Sequence, residues 1–504
     1  MSSKEVPFEK YQLLKNKVKE FVEKIEELKQ NVIIMAKGNP DGICASGILI
    51  KCLKKLDLGS HVFFTNEITK IQTRTAKFSY TTFFFIGFQL ADIPLFILEA
   101  EENSVFLVNN ELETLKEKEK ARINTLGLEE FKIPTNSVSN AGIIYFLAAE
   151  IEEDYQKFSG LAVIGGLADK QVNPKNQELI GLNRIILEEG REKQYLNVTK
   201  GTRIAGRESQ PIHLALKYSI NPYFPGLTGN ESACTSFVSR IGIPMRDQED
   251  DWRTIASLSS KETKKLNDAL ISLLMEDNSQ PITDIYKLIG PIYILNEETK
   301  KNQTRNAEEF LWLLEGASQL KLYSLALAIV LGDRENLYDK LIRELSSYHG
   351  KATQAIEEIL QNPKRIEDHE TFRLLDGSDI FEQDTPSLVI SALVESGIIP
   401  IDKPIFVKLE KEKVIEVYVR ESPSRIQDGH VLFHICKELQ EQKTISDLSG
   451  NTEFFTFSLE GKFEIFIKKI SETLEYHLKG EKPEEKKEKK QINEKTGKQK
   501  DEKK

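Results

Sequence analysis

Five short apolar runs constrain this chain more than anything else in it: Val32-Ile33-Ile34-Met35-Ala36, His61-Val62-Phe63-Phe64, Thr82-Phe83-Phe84-Phe85-Ile86, Val105-Phe106-Leu107-Val108 and Leu161-Ala162-Val163-Ile164-Gly165. Each is continuous rather than alternating, the pattern of a strand buried on both faces. Between several of them lie helical repeats. Glu9 to Gln30 places Leu14, Val18, Phe21, Val22, Ile25 and Leu28 on one face, and Ile43–Leu56 and Ala141–Glu152 read similarly. Buried strands alternating with helices predict an α/β domain built on a mostly parallel sheet, residues 1–190.

The rest of the chain changes character twice. Residues 191–365 read as a helix-rich middle region with a connector helix. Ser259-Ser260-Lys261-Glu262 has the form of a capping box and opens one helix; Ala307–Leu331 and Asn336–Gln361 are further helical stretches. Residues 366–477 read as a smaller α+β domain, with strands at Pro404–Val407, Val414–Val419 and Lys462–Ile467 and a helix near Val431–Gln442. Residues 478–504 form a charged tail. From Glu481 onward it holds ten Lys, seven acids and a single aliphatic residue, Ile492, too little apolar surface to offset chain entropy, so disorder is expected.

Composition narrows the function classes. With 69 Lys and Arg against 79 Asp and Glu the net charge is −10, which argues against coating nucleic acid by charge alone. No apolar stretch is long enough to span a membrane, and the N-terminus lacks the apolar core of a signal peptide. Four scattered cysteines without a CxxC pair exclude a cysteine-rich zinc site and read as reduced residues of a cytoplasmic protein. Gly-rich nucleotide loops are absent, so no ATP or NAD chemistry is implied.

In open parallel sheets ligands bind beyond the carboxyl ends of the strands. The loops to read are therefore Lys37-Gly38-Asn39-Pro40-Asp41-Gly42, Gly87-Phe88-Gln89, Asn109-Asn110-Glu111 and Gly166-Leu167-Ala168-Asp169. Asp41 and Asn39 also suit plain turn chemistry, with Asp41 capping the helix from Ile43, and Asp169 suits a cap or salt bridge. Lys37 can face solvent or a phosphate. His430 and His434 stand four residues apart on the expected helix, but a metal role lacks any further ligand in the pattern.

This layout resembles the DHH phosphoesterase superfamily in its RecJ-like, archaeal branch. That resemblance implies two divalent metals, usually manganese, held by a first loop of the form His-x-Asp-x-Asp-Gly, one Asp after the second strand, Asp-His-His after the third and a final Asp. Matched by position, Lys37, Asn39 and Asp41 stand in the first loop, Val108-Asn109-Asn110 replaces Asp-His-His, and Asp169 keeps the last acid. No carboxylate lies between Lys77 and Leu90. Similarity continues through Asn221–Leu227, Gly242-Ile243-Pro244, Arg305–Phe310 and Leu331-Gly332-Asp333. In the last domain Ser449–Thr456 occupies the place of a Gly-Gly-His-x-x-Ala-Ala-Gly signature and keeps one glycine, Gly450, with Arg420 and Arg425 near the family's nucleic-acid-gripping arginine.

A two-metal site must offset about four positive charges with several carboxylates and imidazoles. Two acids, no histidine and an added Lys37 fall short of that. The eroded pattern resembles the catalytically silent branch, the cell-division-cycle protein forty-five of the CMG replicative helicase. It implies a pseudoenzyme without metal or cofactor that binds the GINS complex and with it the MCM helicase, with at most weak contact to single-stranded DNA, in the cytoplasm at the nucleoid. The alternative is a divergent metal-dependent single-strand DNA exonuclease or phosphodiesterase of the RecJ type.

Overall fold

The computed structural model describes residues 6–66, 68, 82–99, 104–113, 123–220, 222–276, 288–381, 385–395, 398–411, 414–422, 425–426, 429, 432–450, 452–459 and 462–479. The charged tail from residue 480, and with it the expectation of disorder, lies outside the described residues, as do Asn221, His430 and Asn451.

Four of the five apolar runs are strands, and they pair in parallel: β1 (Val32–Ala36), β2 (Ser60–Phe64), β3 (Thr82–Ile86), β4 (Ser104–Val108) and a short β5 (Asn124–Leu126). The order is β2-β1-β3-β4-β5. Side chains alternate across the pleat. Val32, Ile34, Ala36, Phe84, Ile86, Phe106 and Val108 meet the helices Phe8–Glu26, Pro40–Lys55 and Asn140–Ile151 on one face. On the other, Ile33, Met35, Phe83, Phe85, Val105 and Leu107 join Phe88, Ile93 and Ile97. Apolar on both faces, these strands have no solvated side to alternate with, which is why their sequences are continuous.

The fifth run is a correction. Leu161–Gly165 lies in a helix, Ser159–Ala168, that is buried along almost its whole length. A buried helix has no polar face, so its apolar run carries no period that separates it from a strand. Asp169 therefore follows a helix, not a strand. Lys462–Ile467 is likewise helical: Phe463, Phe466, Ile470 and Leu474 are buried along one face of Phe463–Lys479, while Ile465 faces outward. Ala307–Leu331 is two helices, Ala307–Gln319 and Tyr323–Leu331, parted by a turn at Leu320–Leu322 in which Lys321 is left-handed.

The chain divides into two compact units, Met1–His349 and Gly350–Lys504, the division falling inside helix Asn336–Gln361. The first unit also holds an antiparallel pair, β6 (Leu196–Thr202) with β7 (Ile289–Leu295), and between them a second core around Phe224, Phe237, Val238, Leu266 and Leu270. The Ser259 capping box forms as expected, Ser259 N donating to Glu262 Oε2 at 2.9 Å and Glu262 N to Ser259 Oγ at 3.4 Å. The second unit is a six-stranded sheet of β8 (Ile366–Asp368), β9 (Arg373–Asp376), β10 (Ile405–Glu410), β11 (Ile415–Arg420), β12 (Ser446–Gly450) and β13 (Phe454–Leu459), ordered β12-β13-β11-β10-β9-β8 and parallel only between β9 and β10. A parallel-sheet domain followed by a mixed-sheet domain is the architecture expected from the sequence.

Candidate functional site

Register assembles the site. Ala36 pairs with Ile86, Ile86 with Val108, and Val108 with Leu126, so the strands end in one row. The row continues one residue further: Lys37 N donates to Ile86 O at 3.2 Å, Gly87 N to Val108 O at 2.8 Å and Asn109 N to Leu126 O at 3.2 Å. Lys37, Gly87 and Asn109 thus stand side by side, above the buried Val108. They lie where β2 and β3 leave β1 in opposite directions, the switch point at which such sheets open a crevice.

Asn39 begins the helix Pro40–Lys55. Its Oδ1 accepts from Gly42 N at 2.8 Å, and Pro40 takes the first helical position, where no N–H is missed. Asp41 is fully buried and does something the sequence did not suggest. Capping its own helix is one of two readings its sequence allows; in the structure it caps another. Its Oδ2 accepts from Asn140 N at 3.1 Å and Asn140 Nδ2 at 2.9 Å, and its Oδ1 from Ala141 N at 2.8 Å. A negative charge at the amino end of Asn140–Ile151 is favoured by the unpaired N–H groups there. Burial raises the Asp41 carboxyl above its ordinary range, against the lowering by hydrogen bonds from Ala141, Asn140 and Ser139.

The approach needs Gly165. A Cβ there would stand 2.7 Å from Ala141 Cβ, Asp41 Oδ1 and Ser139 Oγ alike, so any side chain would push the three apart.

From Asp41 a chain of amides leads to the second acid. Asn140 Nδ2 donates to Asn110 Oδ1 at 3.2 Å, Asn110 N returns a bond to Asn140 Oδ1 at 3.0 Å, and Asn110 Nδ2 reaches Thr135 O at 3.3 Å and Asp169 Oδ2 at 3.4 Å. Asn109 turns away, Nδ2 donating to Phe88 O at 3.0 Å and Oδ1 accepting from Glu111 N at 3.0 Å. Asp169 is half-buried. Burial first, then the charges of Asp41 and Glu111, push its carboxyl up to about 8, while Asn110 and Lys37 pull the other way.

The structure therefore links Asp41, Asn110 and Asp169 through Asn140, which sequence reasoning missed, at the strand ends where Lys37 and Asn39 also stand; Val108 is in the core and Asn109 turns away. The donor set there does not suit the two manganese ions implied by the resemblance. Asp41 already accepts three N–H bonds, Asn110 and Asn140 aim amide donors at the carboxylates, and Lys37 brings a positive charge. Among the described residues no three His, Cys, Asp or Glu side chains are grouped to hold a metal ion.

The second locus lies in the other unit. Arg420 ends β11 opposite Phe454, and Gly450 ends β12 opposite Phe455, at one end of the mixed sheet. Gly450 is left-handed, with φ +123°, and a Cβ there would stand 2.4 Å from Phe454 O. Both arginines are buried and engaged internally: Arg420 Nη2 lies 2.6 Å from Glu453 Oε1, and Arg425 Nε 3.4 Å from Glu421 Oε1. Glu421 is itself fully buried and accepts from Ser422 N at 2.9 Å and Leu432 N at 3.1 Å. His434 sits on the helix Leu432–Glu441.

Comparison with known proteins bears on the fold. Residues 204–289, the segment carrying the second core of the first unit, match the DHH-CID domain. The structure overlays on CDC45 from Entamoeba histolytica with a TM-score of 0.59 at 12% identity, covering 91% of this chain and 96% of that one. The chain has the DHH-superfamily fold. RecJ in complex with Mn2+ from Thermus thermophilus gives a TM-score of 0.48 at 13% identity, covering 94% of this chain and 55% of that one. In sequence, an uncharacterized protein of Methanocaldococcus jannaschii is 25% identical over 248 residues, 47% of this chain and 55% of that protein. The chain thus spans about half the length of the curated relative it matches. No described helix is long and apolar enough to cross a membrane.

Proposed function

We propose that this protein is a non-catalytic scaffold of the archaeal replicative helicase, a DHH pseudo-nuclease that binds the GINS complex and, through it, MCM. The observation that carries the reading is the state of the crevice: Asp41, the acid at its centre, is spent on capping Asn140–Ile151, and amide donors from Asn140 and Asn110 sit where metal charge would be needed. A hydrolase would have to break that network before it could seat two cations, leaving buried donors without partners. The overlay on CDC45 along nearly the whole of both chains supports an assembly role for the fold as a unit. In this reading the protein works at the nucleoid in the cytoplasm, and single-stranded DNA contact through Arg420 and Arg425 is weak because each guanidinium already has a carboxylate.

Sizing chromatography of the full chain mixed with GINS at micromolar concentration tests this. Co-elution, with MCM recruited only when GINS is present, is expected. Two separate peaks would sink the proposal.

A further inference from the structure

Residues 204–289 are an insertion with a core of their own. The chain leaves the body of the first unit through β6, builds the cluster around Phe224, Val238 and Leu266, and returns through β7. This cluster and the core on the sheet share no residue. On the β6–β7 stalk Gly201 stands directly opposite Gly290. A Cβ on Gly201 would lie 2.9 Å from Arg207 Nη1, and one on Gly290 2.8 Å from Arg203 Cδ, so the bare rung lets both arginines fold back over it. Such a rung also has no side chains to stiffen it.

Polar contacts tie the insertion to helix Ala307–Gln319, whose Ala307, Phe310 and Leu314 belong to the core on the sheet. Asn306 caps this helix, Oδ1 accepting from Glu308 N at 2.8 Å and Glu309 N at 3.2 Å, which leaves both carboxylates for partners outside it. Glu308 Oε1 accepts from Arg203 Nε at 2.7 Å. Glu309 takes Glu208 N at 2.6 Å on one oxygen and Ser209 Oγ at 2.8 Å on the other. Glu208, Glu308 and Glu309 are all buried. Further out, Lys301 Nζ meets Asp251 Oδ2 at 3.2 Å, both side chains exposed. A polar seam between two separate cores is the kind of interface across which parts of a chain move.

We propose that Glu308 and Glu309 are a latch: together they hold residues 203–210 on the end of helix Ala307–Gln319 and so fix the insertion at one angle, and on their release the insertion turns on the Gly201–Gly290 rung without losing its core. The device belongs to the fold and does not depend on the scaffold reading of the crevice; a nuclease would carry it equally.

Spin labels on Ser239→Cys in the insertion and Lys54→Cys in the body, both exposed positions, read that angle in the full chain by double electron–electron resonance; the four native cysteines are buried. Hydrogen exchange of helices Glu231–Arg240 and Ser260–Glu276 reports the insertion's core in the same proteins. The wild type is expected to give one narrow distance. Glu309→Ala is expected to broaden it at least about twofold, with exchange in the two helices within about twofold of wild type. Glu309→Gln, which keeps one acceptor oxygen for Glu208 N, is expected to fall between. The proposal is overturned if the width stays at the wild-type value, if the wild type is as broad as Glu309→Ala, or if the two helices lose protection along with the latch. Should Glu309→Ala fail to fold, Ser209→Ala combined with Glu308→Gln decides: an unchanged width refutes the latch.

Discussion

The crevice of the first unit and the arginine locus of the second have both turned polar groups inward, but to different degrees. In the crevice the turn is complete. Asp41 accepts from Asn140 and Ala141, the two asparagines bond each other twice, and Asn110 reaches Asp169. At the arginine locus the carboxylates Glu453 and Glu421 meet the guanidiniums, yet Arg420 Nε and Arg425 Nε are buried without a hydrogen-bond partner. Neutral amides can saturate a carboxylate in fixed directions. A guanidinium carries five donors, and one carboxylate cannot satisfy them all. The first region is closed by its own side chains; the second leaves two buried guanidinium N–H groups unsatisfied.

Substitutions can break that contrast, and the largest effect is expected at Asp41. Asp41→Ala strands three N–H donors at a buried helix end, at a cost of about 2–4 kcal/mol by urea denaturation. A loss under about 0.5 kcal/mol would mean the cap is incidental. Next comes Gly165→Ala, whose methyl meets Ala141, Asp41 and Ser139 at once; overpacking predicts a loss of about 1–3 kcal/mol. At the arginine locus Arg425→Ala removes the guanidinium that faces the buried Glu421, a cost of about 2 kcal/mol. It should also lower the salt dependence of any single-strand DNA binding by about one phosphate's worth, read from the slope of affinity against salt. Unchanged stability and slope would remove Arg425 from both roles.

The smallest effect is a pH dependence confined to the crevice. Asp169 holds its proton to about pH 8 when folded, against an ordinary value of 3.8. Between those values the folded chain keeps a proton that the unfolded chain has released, so its contribution to stability is full below the lower value and is lost as pH rises. Asp169→Asn removes that dependence. The variant should gain on wild type from pH 5 to pH 8 by about 1–2 kcal/mol, below the full linkage value because Asp169 is only half-buried. A gap that stays constant, or narrows, would show that Asp169 is ionised in the folded protein.

The sheet was legible because buried strands leave continuous apolar runs, and the same rule misled at Leu161–Gly165, where a buried helix leaves them too. Lys462–Ile467 misled differently: Phe463, Ile465 and Ile467 alternate, but the face that packs is Phe463, Phe466 and Ile470. Of the crevice, the strand-end rule and the family pattern pointed to Asp41 and Asn110; Asp169, which follows a helix, came from the family pattern alone. Asn140 escaped because its partner Asp41 is 99 residues away and no local spacing links them. A signal was there: Ser139 and Asn140 directly before an apolar helical run are cap residues. What a carboxylate caps depends on which helix packs beside it, and Gly165, the residue that permits the packing, shows only as one more glycine in an apolar run.

The closure of the crevice is tested most directly by incubating end-labelled single-stranded DNA with the full chain and manganese, beside Asp41→Asn. No release of nucleotides above buffer is expected from either protein. Manganese-stimulated release by the wild type, lost in Asp41→Asn, would contradict it and make the protein a nuclease.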